Sequence, residues 1–209
     1  MDNNWESFVN EVKGIVNDTE VTINYCRKND YNASNNHKKI MLNYKWYEFI
    51  ENESSLTWSI TQCNQISSSS IKKAELQCLA LWLTVGHEMS HLKNKDKPYF
   101  CLDTIFMTDA HFVGEMRELR ADFEGAKIVK LSKEQAVKAL EFKSSVNKSA
   151  IYSYLFSNHP GWEIRKMAIK LLEDCDANTL YDFVVGTKKY LKHLKCKNKI
   201  IKKYNQRKW

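Results

Sequence analysis

His87-Glu88-Met89-Ser90-His91 closes the apolar run Leu79-Ala80-Leu81-Trp82-Leu83-Thr84-Val85, and the two together decide how this chain is read. On a helix, histidines at i and i+4 stand one above the other on one face, so both can hold a single metal ion. Zinc accepts neutral imidazole nitrogens at about 2.0–2.1 Å. Glu88 lies one position round the helix, where it can reach a metal-activated water as a general base without ligating the ion. Chance alone supplies this five-residue pattern in about one chain in a hundred of this size. The apolar run before it argues for a buried helix, however, and two histidines and a carboxylate placed there are costly to bury without a metal.

A third ligand must follow. The spacing His-Glu-x-x-His-x-x-Gly-x-x-His is excluded, because positions 94 and 97 are Asn94 and Lys97. Downstream lies Gly114-Glu115-Met116-Arg117-Glu118-Leu119-Arg120-Ala121-Asp122, a segment of helical period. Glu118 and Asp122 share a face; Glu118 can complete a His2Glu site, and Asp122 can accept the free ring N–H of a ligating histidine. The plainer reading is a solvated helix face in which Glu115, Glu118, Asp122 and Glu124 alternate with Arg117 and Arg120. Glu115 stays open as an alternative ligand, although Leu119, four residues on, offers no acceptor behind it.

These motifs resemble the glutamate-zincin peptidases typified by HtpX and the CAAX prenyl proteases, whose second motif is similar to Glu118-x-x-x-Asp122 with Ala121 before the aspartate. A further stretch, Ser157-Asn158-His159-Pro160-Gly161-Trp162-Glu163-Ile164-Arg165, is similar to the His-Pro…Arg segment of that family. The resemblance runs from about residue 70 to 172. It implies a zinc endopeptidase in which His159 touches substrate or the developing oxyanion and Arg165 braces acidic groups around the site. Residue by residue, His159 also reads as an exposed histidine ahead of a helix that Pro160 begins. Those enzymes are membrane-embedded, whereas the longest apolar run here is far short of the ~20 residues that a span needs. Soluble peptidases of the Lit phage-exclusion type and the ImmA-like repressor-cleaving type also carry His-Glu-x-x-His with a later Glu.

The polar, acidic start Met1-Asp2-Asn3-Asn4-Trp5-Glu6 has no secretory character. Six cysteines at 26, 63, 78, 101, 175 and 196 form no C-x-x-C pair or disulfide framework, so a cytoplasmic protein with reduced thiols is expected. With 209 residues, 43% of them hydrophobic, one domain with a full core is expected, and two prolines and six glycines suit a helix-rich fold. Residues 5–16 read as an amphipathic helix, 71–93 as the metal helix, 160–172 and 178–195 as later helices. Thr108 or Asp109 can cap the Glu118 helix, Ser132 and Gln135 make a capping box, and Pro98 stops the metal helix. Residues 20–26, 39–44 and 56–61 read as strands, 29–37 as a polar loop, and Ser67–Ser70 as a loop ending in a helix cap. The fold class is therefore α+β: a helix-rich, zincin-like core with a small antiparallel sheet near the N-terminus. One early strand should bind an extended peptide substrate along its edge.

The net charge of +7 resolves into two parts. Residues 188–209 hold ten Lys or Arg and no acid, which leaves 22 basic and 25 acidic residues, or −3, in the other 187. The expected organisation is a single metallopeptidase domain over 1–187 and a basic C-terminal tail over 188–209. Such a tail serves either as a solubilising, frayed end or as a docking segment for an acidic partner or nucleic acid. No recognition helix, finger or RNP-type motif accompanies it. Two functions follow: a zinc endopeptidase acting on a cytoplasmic protein or peptide substrate, or a non-catalytic zinc protein whose tail holds an acidic partner. Glu88 separates them, since a closed structural zinc site has no use for a base beside the ion.

Overall fold

The computed structural model describes residues 4–16, 20–36, 38–67, 71–96, 109–147, 160–187 and 197–206. Helix α1 (Asn4–Val16) turns Phe8 and Val12 inward, as its apolar spacing dictates. Three short strands follow: β1 (Thr22–Cys26), β2 (Ala33–Asn36) and β3 (Lys39–Asn43). Helices α2 (Tyr44–Asn52), α3 (Ser55–Trp58) and α4 (Ile60–Gln65) lead to the long helix α5 (Lys73–Asn94). Beyond it come α6 (Asp109–Ile128), α7 (Lys133–Val146), α8 (Trp162–Leu171), α9 (Ala177–Thr187) and α10 (Lys197–Asn205). No helix among the described residues is long and apolar enough to cross a membrane.

The sheet is mixed rather than antiparallel. Its order is β1-β3-β2, with β1 parallel to β3 and β2 antiparallel to it. The polar stretch expected as a loop supplies the extra strand: Ala33-Ser34-Asn35-Asn36 has little intrinsic strand preference, yet it folds back on β3 with Ser34 opposite Met41 and Asn35 opposite Ile40. That insertion carries the chain past β3, so β1 and β3 run in the same direction. Residues 56–61, expected as a strand, are helical instead. Ser59 caps α4 by accepting the Gln62 N–H at 3.3 Å, and Leu56, which an inward-facing strand position would bury, is exposed. The local Ser59 cap prevails here over an alternating apolar pattern.

The capping box reads as expected: the Gln135 side chain accepts the Ser132 N–H at 2.8 Å, and Ser132 Oγ accepts the Gln135 N–H at 3.2 Å. The caps expected at Ser70 and Thr108, and the break at Pro98, lie outside the described residues, while Asp109 is the first residue of α6. Two apolar cores form. One gathers α1, the sheet, α2 to α5 and α7 around Phe8, Trp46, Trp58 and Trp82; the other gathers α6, α8, α9 and α10 around Met116, Leu119, Leu180 and Ile200. Within the first, the Trp82 indole N–H donates to the Trp58 carbonyl at 2.6 Å.

Helices α5 and α6 meet between these cores at a glycine pair. A Cβ on Gly86 would stand 2.4 Å from the Gly125 carbonyl oxygen, and one on Gly125 would stand 2.6 Å from the His87 backbone nitrogen. Both obstacles are backbone and cannot swing aside. Gly86→Ala or Gly125→Ala should therefore wedge the helices apart and cost about 3 kcal/mol, the upper part of the range for overpacking. Urea unfolding measures that cost. Glu118 and Asp122 occupy the same α6 face as Gly125, so the wedge should also shift them relative to α5.

The segment expected to stand apart as a tail contributes α10 to the second core. Ile200 and Tyr204 are buried, and burial of side chains of this size contributes about 1.5–3 kcal/mol each. Lys199 and Lys203 pair with Asp109 at 2.8 and 3.3 Å, and Lys197 pairs with Asp182 at 2.8 Å. Three lysines of the basic segment are thus paired with acids of its own chain.

Candidate metal centre

Helix α5 is buried all round, from Cys78 to His91, so His87, Glu88 and His91 sit in the interior rather than on a wet face. The close approach at Gly86 and Gly125 lets the side chains of α6 reach them. Glu118 meets both histidines: its carboxylate oxygens lie 3.2 Å from His87 Nε2 and 3.4 Å from His91 Nε2, and the two Nε2 atoms are 3.0 Å apart. A tetrahedral zinc ion with bonds of about 2.0–2.1 Å has ligand–ligand edges of about 3.3 Å. The three residues offer the donor set of a His2Glu metal site, with one ligand atom from each lying within 4.8 Å of the others. Glu115, the alternative ligand, instead faces His111 at 3.5 Å.

Both histidines are held from behind. His87 Nδ1–H donates to Asp122 at 2.9 Å, and Arg165 grips that carboxylate through Nε and Nη2 at 2.6 and 2.5 Å. His91 Nδ1–H donates to Asp96 at 2.8 Å, and Arg120 donates to the same carboxylate oxygen. Carboxylates on the Nδ1 atoms leave each Nε2 to face the centre of the triad, the orientation in which a histidine ligates well.

The second carboxylate was not foreseen in the sequence. It gets there through the end of α5, where Lys95 takes a left-handed conformation (φ 53°), the Lys95 N–H bonds the Leu92 carbonyl at 3.1 Å and the Asp96 N–H bonds the His91 carbonyl at 3.0 Å. This is the double bond pattern of a Schellman ending. It folds Asp96 back beside the last turn, where its side chain reaches His91.

Glu88 is buried beside the triad, and its Oε2 accepts from Asn35 Nδ2 on the edge strand β2 at 2.5 Å. Nothing in the sequence marks Asn35 for this contact, because its stretch is polar and reads as a loop. Nearby, Ser90 Oγ and Asn94 Nδ2 both donate to Glu124, at 2.8 and 2.7 Å, tying α5 to α6 at a third level. His159 lies outside the described residues.

Charge in the site is heavily compensated. Burial opposes ionisation of Asp122, but the Arg165 guanidinium and the His87 hydrogen bond outweigh it and hold the carboxyl well below its ordinary range. Burial likewise works against Asp96, yet His91 and Arg120 keep it low. Burial disfavours charge on both histidines too; Asp122 and Glu118 nonetheless raise His87, and Glu118 and Asp96 raise His91. A metal ion held by these nitrogens would have to displace protons, so its affinity should weaken as the solution is acidified.

Lys143 on α7 adds a cation to this neighbourhood. It is buried and donates to Thr84 Oγ1 at 2.9 Å, one turn before Glu88. Burial, reinforced by Arg165 and opposed by Asp122, Glu88 and Glu118, pushes its pKa down from 10.5 to about 8. The folded state thus binds this proton less tightly than the unfolded chain. The penalty is complete below pH 8 and is relieved as pH rises from about 8 towards 10.5. Lys143→Met should raise stability at pH 7 by on the order of 1–3 kcal/mol and remove that rise at alkaline pH. Denaturant unfolding at a series of pH values reads both effects.

Comparison with protein-family models, curated proteins and solved structures gives no match.

Proposed function

We propose that this protein is a zinc-dependent endopeptidase that hydrolyses peptide bonds of a protein or peptide substrate. The observation that carries the reading is the triad itself: His87 Nε2 and His91 Nε2 stand 3.0 Å apart, the two Glu118 carboxylate oxygens lie 3.2 and 3.4 Å from them, one each, and a carboxylate sits on each Nδ1. His87, His91 and Glu118 would hold the ion. Zinc in such a site lowers the pKa of a coordinated water to about 7 and polarises a carbonyl as a Lewis acid.

The remaining chemistry falls to the protein. Glu88, set beside the triad and not within it, is the general base that takes a proton from the attacking water and the acid that returns it to the departing amine. Asn35 aims the Glu88 carboxylate. Asp122 with Arg165, and Asp96 with Arg120, fix both ligating imidazoles so that no reorientation is needed when the ion binds. His159 remains our candidate donor to the oxyanion, on the strength of the His-Pro…Arg stretch alone.

Strand β2 is the edge of the sheet nearest the site, and it carries the residue that contacts Glu88. An extended substrate would add to that edge by main-chain hydrogen bonds, which bring its scissile carbonyl towards the triad. The competing reading, a binding protein with a structural zinc, has no use for Glu88, and its basic docking segment is partly occupied by Asp109 and Asp182. The test is to incubate the zinc-loaded protein with a cell lysate and map new protein termini against the Glu88→Gln variant. Termini that appear with the wild type and not with the variant support the peptidase. A lysate left unchanged by the wild type counts against it.

A further inference from the structure

We infer that the basic C-terminal helix α10 is a working part of the metal centre, with Tyr204 and Arg120 as positioning residues for His91. The inference rests on the reading of His87, His91 and Glu118 as metal ligands, and it assigns a role to a segment that this reading leaves unused. A continuous line of contacts joins the two. His91 Nδ1–H donates to Asp96 Oδ2 at 2.8 Å, Arg120 Nη2 donates to the same oxygen, and Arg120 Nη1 donates to the Tyr204 hydroxyl at 3.2 Å. The Tyr204 ring also lies 5.4 Å from the Arg120 guanidinium carbon, within cation–π range. A second arginine runs alongside: Arg117 Nε stands 3.3 Å from Asp96 Oδ1, and its Nη2 donates to the Gln206 carbonyl at 3.4 Å.

Asp96 is held by these arginines as well as by His91. It sits past the end of α5, with its N–H bonded to the His91 carbonyl, and Arg117 and Arg120 are the cations that its carboxylate meets. Both arginines come from α6, and both reach α10 on their far side. Helix α10 thus closes the outer face of the arginine pair, excludes water from it, and fixes the fork that aims Asp96 at His91. A carboxylate aimed in this way fixes the ligand's tautomer and strengthens Nε2 as a donor. Lysines 199 and 203 on Asp109 and the buried Ile200 keep the helix in register for this contact. The basic segment acts on the zinc site from the C-terminal end of the chain, some eighty residues from the arginines it holds.

Tyr204→Phe tests the relay in the full-length protein, because it keeps the ring and its packing and removes only the hydroxyl. Zinc affinity, measured by competition with a chelator, should weaken about tenfold, the lower end of the loss for residues behind a metal ligand. The melting temperature of the metal-free protein should change little. The imidazole nitrogen shifts of His91 in the metal-free protein should also move, which a purely structural role for Tyr204 would not produce. Unchanged zinc affinity together with unmoved His91 shifts overturns the inference. A wild-type protein that binds no zinc defeats the metal reading separately. The relay is then decided by the His91 shifts alone: movement in Tyr204→Phe supports it, and no movement overturns it.

Discussion

If His87, His91 and Glu118 hold one zinc ion as proposed, His87→Ala and His91→Ala are each expected to abolish its tight binding. The triad offers three ligand atoms, and zinc in a His2Glu site has no fourth protein donor to compensate for a lost imidazole. Glu118→Gln should weaken binding by more than the about 10–100-fold typical of residues behind a ligand, since a neutral amide is a poor zinc donor. Asp122→Asn should fall within that range: the amide oxygen can still accept from His87, but the Arg165 charge is left without its counter-ion. A buried charge stripped of its partner costs about 3–5 kcal/mol, so this variant should also melt earlier. Chelator competition and metal analysis of the purified variants give the order. Full zinc retention in Glu118→Gln, with loss in Glu115→Gln, would overturn the choice of third ligand in favour of the residue that now faces His111.

The parts of this centre that were legible in the sequence share one property: they depend on spacing within a single helix. His87 and His91 on α5 and Glu118 and Asp122 on α6 are each fixed by a period of 3.6 residues, and outside the centre the Ser132–Gln135 box at the start of α7 is read in the same local way. What brings α5 to α6 was not legible. The contact turns on Gly86 and Gly125, and neither glycine shows from sequence alone that it faces the other's backbone. Asp96 was hidden because its position depends on a left-handed residue that is lysine, where a glycine would have signalled the turn. Asn35 was hidden because β2 has no apolar alternation; it is a strand by virtue of its partner β3 and not of its composition. The basic segment misled for a related reason. Its charge is conspicuous in one dimension, but of the acids that pair with three of its lysines only Asp182 lies near it in sequence; Asp109, which takes two of them, lies on α6.

Glu88→Gln should eliminate cleavage while leaving fold and zinc affinity close to wild type. Glu88 is set beside the triad and supplies none of its three ligand atoms, so the donor set survives the change. The carboxamide is isosteric and can still accept from Asn35 Nδ2, which holds the side chain in place across the 2.5 Å contact to β2. What it cannot do is bind a proton at neutral pH. Loss of a positioned general base alone removes about 10²–10⁴-fold in rate. In the proposed mechanism the same carboxylate also returns the proton to the departing amine, so one substitution would remove both transfers and the residual rate should fall below detection. Asn35→Ala provides the graded companion: the carboxylate remains but is no longer aimed, so kcat should fall by a smaller factor with zinc affinity unchanged. Peptide hydrolysis followed by mass spectrometry, with metal content measured on the same samples, separates the two variants. A Glu88→Gln protein that cuts at the wild-type rate removes Glu88 as the base. With it goes the one feature of the triad's surroundings that distinguishes a catalytic zinc site from a structural one.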